Sequence, residues 1–139
     1  MYRILILCTG NMCRSPMAEG LLKSLLAKHQ LSDSVEVRSA GTWASSGGAA
    51  SANAVRVAAE HGIRLDAHRS TPLSRSLIEE SDLILAMEPT HLEEVLTQGP
   101  EAEGRAHVLT TYADTEEGDP IRTRPPASSL FTPRGRRRR

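Results

Sequence analysis

At 139 residues the chain has the length of one ordinary folded domain. Met1 to Leu7 lack the long apolar core of an export signal, and no run approaches the ~18 apolar residues of a membrane span, so a cytoplasmic protein with no membrane span is expected. The net charge of zero hides an asymmetry: residues 1–119 hold 10 Lys+Arg against 17 Asp+Glu, whereas residues 120–139 hold 7 Arg and no acid, a body of −7 joined to a tail of +7.

Residues 3–8, RILILC, form a nearly continuous apolar run that suits a strand buried on both faces of a parallel sheet and ending at Cys8. Ser15 as N-cap and Pro16 at the first helical position predict a helix from Pro16 to His29, with Met17, Leu21, Leu22, Leu25 and Leu26 at helical spacing. Val35 to Ser39 alternates as a strand does. Trp43 to Ala50 reads as a loop, and Ser51 opens a helix that Gly62 closes. Ser70 to Ser81 is amphipathic with a proline start at Pro72. Leu83 to Met87 is an apolar strand, Pro89 starts a helix that ends near Gly99, and Ala106 to Thr110 supplies a last strand. This order predicts a single α/β domain: a four-stranded parallel sheet with helices on both faces and ligands at the carboxyl ends of its strands. The domain is expected over residues 1–120. Residues 121–139, with Pro125, Pro126, Pro133 and an arginine run, read as a disordered Arg/Pro-rich tail.

Chemistry concentrates in Cys8-Thr9-Gly10-Asn11-Met12-Cys13-Arg14-Ser15-Pro16, a strand end, a turn tolerant of positive φ and a helix start. Inward amides of Thr9 to Ser15 and the positive helix end predict a phosphate-binding loop that needs no metal. Arg14 adds a planar fork for two phosphoryl oxygens, and the same field favours a thiolate at Cys8, which is then a nucleophile. Two cysteines five positions apart suit catalysis better than a structural disulfide. C-x4-C lacks a second cysteine pair, and no close histidine spacing completes a zinc set, so no metal and no cofactor are expected. The chemistry also requires an acid to protonate the leaving oxygen and later to activate water.

These residues resemble the low-molecular-weight protein tyrosine phosphatases, near the protein arginine phosphatase branch. The C-x5-R-S signature is Cys8, Arg14 and Ser15, followed in family order by Ser39-Ala40-Gly41-Thr42, Gly62-Ile63, His68-Arg69-Ser70 and Asp82 to Met87. The resemblance implies a phosphatase acting on a phosphorylated protein through a phosphocysteine intermediate. It implies Asp119, before Pro120, as general acid, Ser15 as support for the thiolate, and Asn11, Ser39 and His68 as a hydrogen-bond network around the loop. The chain departs from the family after Pro120: Ile121 stands where an aromatic residue is usual, and the Arg/Pro-rich sequence predicts that the usual C-terminal helix is missing.

Blander readings compete. Asp119-Pro120 is equally a turn initiator, His68 an ordinary buried or surface histidine, Trp43 a surface residue rather than a substrate wall, and Arg136 to Arg139 a solvated tail. Arsenate reductases that resemble the family need further cysteines, and none follows Cys13. Met12, bulkier than the threonine of arginine phosphatases, suits an aromatic ring, which makes phosphotyrosine the leading substrate and phosphoarginine the alternative. From another class, the chain could be a weak or inactive binding module whose basic tail engages nucleic acid or anionic lipid.

Overall fold

A computed structural model describes residues 1–112. Within them lie β1 (Tyr2–Cys8), α1 (Arg14–Lys28), β2 (Val35–Gly41), α2 (Ala52–Glu60), α3 (Arg75–Glu80), β3 (Leu83–Ala86), α4 (Pro89–Gln98), a 3-10 turn (Pro100–Ala102) and β4 (Ala106–Val108). The strands form one sheet in the order β2-β1-β3-β4, every pair parallel. Parallel neighbours require crossovers, and twist makes these right-handed. Chain progress reverses direction across the sheet between β1 and β3, which opens a crevice at the carboxyl end of β1, where Cys8 lies.

The pleat sends alternate side chains of β1 to opposite faces. Leu5 and Leu7 join Ile78, Ile84 and Val95, each fully buried, in a core beneath α3 and α4. A smaller cluster, Ala54, Ala58, Ile63 and Leu65, packs with Met17 on the α1 and α2 side. Helix α1 is poorly covered. Leu21 is 45% and Leu25 51% exposed, so only part of its apolar stripe is in the core.

Among the expected boundaries that shift, three do so for a clear local reason. Helix α1 begins at Arg14 with Cys13 as N-cap, not with Ser15 capping, because the Ser15 hydroxyl is buried against Cys8 and Asn11 instead. The helix expected from Pro72 starts only at Arg75. Thr71 and Leu73 are extended against Gly41, and Ser74 is the residue whose side chain caps, accepting from Leu77 N. The strand expected over Ala106 to Thr110 stops at Val108, since residues 109–112 have already turned helical. Asp119, the domain limit at 120, the tail over 121–139 and the expected loss of a final helix lie outside the described residues.

Candidate active site

The loop from Cys8 to Arg14 is shaped by what its carbonyls do. Cys8 O and Thr9 O accept from Thr42 N and Trp43 N at 3.0 and 2.9 Å; Asn11 O accepts from His68 Nε2 at 2.7 Å, and Met12 O from Ser51 N at 2.9 Å. In a planar trans peptide the following N–H points the opposite way. The amides of Thr9, Gly10, Met12 and Cys13 therefore point away from those partners, and a run of donors of this kind suits an oxyanion.

Asn11 is the keystone. It is fully buried and has φ of +56°, a left-handed conformation that asparagine tolerates better than most residues. Thr71 N donates to its Oδ1 at 2.8 Å, which fixes the orientation of the amide. Its Nδ2 then donates to both Ser15 Oγ at 2.8 Å and Ser39 Oγ at 2.9 Å. Ser39 passes its own hydrogen to Glu19 Oε1 at 2.5 Å. Ser15 Oγ lies 3.0 Å from Cys8 Sγ, and the Asn11 amide donates to the same sulfur at 3.3 Å. The Ser15 hydroxyl and the Asn11 amide thus converge on a sulfur that is only 3% exposed.

Gly41 is required by close approach rather than by φ. A β-carbon there would stand 2.5 Å from Thr9 O and 3.0 Å from Asn11 N. Ser70 ties down the neighbouring loop, accepting from Gly48 N at 2.8 Å and donating to Ser45 O at 2.6 Å. Met12 is 40% exposed, its side chain lying near Gly10 and Gly48 at the mouth, and Trp43 is 86% exposed on the surface. Cys13 is exposed, its thiol donating to Ser51 Oγ at 3.2 Å.

A second wall escaped sequence reasoning. Arg14 Nη1 donates to Glu88 Oε2 at 2.7 Å, and this hydrogen bond, with the guanidinium charge, holds the Glu88 carboxyl below its usual range. Glu88 N donates to Nδ1 of His91, which leaves the hydrogen of the neutral ring on Nε2, 2.9 Å from Thr9 Oγ1. Burial pushes His91 down; the Arg14 charge adds to this and Glu88 opposes it. The local signal was present in Glu88-Pro89-Thr90-His91, an acidic residue three positions before a side chain able to cap it in return. Glu19 and Thr71 were likewise unforeseen.

The structure thus brings together Cys8, Thr9, Gly10, Asn11, Met12, Cys13, Arg14, Ser15, Ser39 and His68 around one loop. Among the described residues, no group of three or more His, Cys, Asp or Glu could hold a metal, and no helix is long and apolar enough to cross a membrane.

Residues 3–126 match the model of the family described as low molecular weight phosphotyrosine protein phosphatase. The protein-arginine-phosphatase of Bacillus subtilis (strain 168) is 41% identical over 116 residues, covering 84% of this chain and 75% of that protein. A solved structure of the YwlE arginine phosphatase, a mutant with a phosphorylated active-site serine, superposes with a TM-score of 0.76 at 39% identity, over 86% of this chain and 77% of that one. The tyrosine phosphatase Wzb from Escherichia coli K30, solved in complex with sulphate, gives a TM-score of 0.72 at 39% identity, over 88% of this chain and 83% of that one.

Proposed function

Because the chain belongs to the low molecular weight phosphotyrosine protein phosphatase family, we propose that it hydrolyses phosphate monoesters of proteins through a phosphocysteine on Cys8, with phosphotyrosine as the leading substrate. The observation that carries this reading is the convergence of Ser15 Oγ and the Asn11 amide on the Cys8 sulfur, inside the loop that leads to Arg14. In the first step the Cys8 thiolate attacks phosphorus, the bond from phosphorus to the leaving oxygen breaks, and Asp119 gives that oxygen a proton. In the second, water gives a proton back to Asp119 and attacks phosphorus, and Cys8 leaves as thiolate. Arg14 and the loop amides hold the equatorial oxygens throughout, which stabilises the charge that rearranges in the transition state. The sulphate in Wzb and the phosphorylated active-site serine in the YwlE mutant support an oxyanion site and a covalent intermediate in relatives of similar fold.

Phosphoarginine is the second reading, favoured by the 41% identity to an arginine phosphatase. Met12 at the mouth argues for the aromatic substrate, since its apolar side chain packs on a ring face but offers a guanidinium no acceptor beyond a weak thioether. The test compares phosphotyrosine and phosphoarginine peptides in the presence of a chelator, with wild type and Met12→Thr. A preference for phosphotyrosine that falls in Met12→Thr, and loss of both activities in Cys8→Ser, is the expected result. Salt-sensitive peptide binding with no turnover would support a phosphatase-like binding module instead.

A further inference from the structure

A cleft of about 540 Å³ is lined by residues of α1, of β2 and of the segment after α2. Its lining includes Glu19, Ser39, His68 and Thr71, and the last three are the residues whose Oγ, Nε2 and N hold Asn11 in place. Lys23, Arg38, Arg64 and Arg69 line the same cleft, from α1, from β2 and from the segment after α2. Four cations thus share one lining with a single carboxylate, Glu19, while their other partners, Glu36, Glu80 and Asp66, stand outside that lining.

These cations are available for a ligand. Lys23 is held by Glu19 at 2.7 Å, Arg38 by Glu36 at 3.3 Å and Glu80 at 3.5 Å, and Arg64 by Asp66. All four pairs have a cation roughly half exposed or more, where ion pairs contribute little and are readily exchanged. The Arg69 side chain donates to a carbonyl, His68 O, at 2.7 Å, and it pairs with no carboxylate among the described residues. Because one exposed pair is weak, only a ligand that engages several of these cations at once is retained. Pro16, Leu65 and Leu77 supply an apolar surface beside them.

We infer that this cleft is a second ligand site, taking a small molecule that carries several phosphate groups, and that its occupancy lowers turnover at Cys8. The link is short. Glu19 joins Lys23 to Ser39, and from there Asn11 and Ser15 lead to the sulfur through contacts of 2.5, 2.9, 2.8 and 3.0 Å. A bound polyanion draws Lys23 from Glu19 and so disturbs the chain of contacts through Ser39 and Asn11 that positions Ser15 against the sulfur.

Inorganic triphosphate is the probe, titrated calorimetrically into the full chain at constant ionic strength. Two classes of site are expected: one lost in Arg14→Ala, the other weakened at least tenfold in Arg64→Ala/Arg69→Ala, two exposed substitutions away from the anion loop. The second arm follows aryl phosphate turnover and rests on the phosphatase reading. Inhibition should level off at residual activity in wild type, and the double variant, with unchanged basal turnover, should show only competition for the loop. Equal calorimetric titrations of wild type and double variant overturn the inference. A wild type that shows only the class weakened in Arg64→Ala/Arg69→Ala, with none that depends on Arg14, counts against the phosphatase reading and leaves the cleft site standing.

Discussion

Asn11 Nδ2 donates to Ser15 Oγ at 2.8 Å, and the same hydroxyl lies 3.0 Å from Cys8 Sγ. The proposed nucleophile is thus surrounded by the contacts of a residue that touches the sulfur only through its backbone N–H. Asn11→Ala leaves Thr71 N, Ser15 and Ser39 short of partners, which costs about 2–3 kcal/mol of stability. Misplacing the thiolate lowers kcat on the order of 10²-fold. Urea unfolding and steady-state kinetics read the two effects, and wild-type kcat in a destabilised variant would show that the network serves folding alone.

Gly41→Ala forces a methyl group against Thr9 O and Asn11 N, both backbone atoms that cannot rotate away. Overpacking of this kind costs about 1–3 kcal/mol, and here it acts on the loop itself. A variant that binds orthovanadate at least tenfold more weakly while remaining folded at 25 °C is expected. Unchanged affinity would mean that the β2 end and the loop yield more freely than the contacts suggest.

His91 supplies a pH dependence. Burial holds its folded-state pKa below the ordinary value, so the unfolded chain binds the proton more readily. Its contribution to stability is complete above the ordinary histidine pKa and is lost as pH falls from there through the lowered folded value. His107, also pushed down by burial, titrates in the same direction, so the informative quantity is a difference. Between pH 7.5 and 5, wild type should lose more unfolding free energy than His91→Asn, whose side-chain oxygen can still accept from Glu88 N. Parallel losses would remove His91 as the cause.

Much of this arrangement was legible because it is local. RILILC reads as a buried strand and Pro89 as a helix start, and the six-residue interval from Cys8 to Arg14 closes an anion loop within one turn of chain. What could not be read depends on partners far apart in sequence. Thr9 meets His91 across 82 positions and Arg14 meets Glu88 across 74, contacts that arise only once β3 lies beside β1. Ser15 misled for the opposite reason. A serine before a proline is a good N-cap locally, but here the tertiary demand of the thiol takes its hydroxyl, and the helix begins two residues earlier. Trp43, which the sequence could not assign, proves to be on the surface.

The proposed acid has its own signature. An aryl oxygen of low pKa leaves with little protonation, whereas an alkyl oxygen needs a proton in the transition state. Asp119→Asn is expected to reduce alkyl phosphate turnover at least tenfold more than 4-nitrophenyl phosphate turnover. Equal losses on the two substrates would assign Asp119 a binding or structural part instead.

Rapid quench with radiolabelled 4-nitrophenyl phosphate tests the central claim most directly, because a phosphocysteine sits on the path only if Cys8 is the nucleophile. Label should accumulate on the peptide containing Cys8 within the first turnover, with or without chelator, and both label and turnover should vanish in Cys8→Ala. Full turnover in Cys8→Ala, or wild-type turnover with no labelled protein at any quench time, would contradict the account.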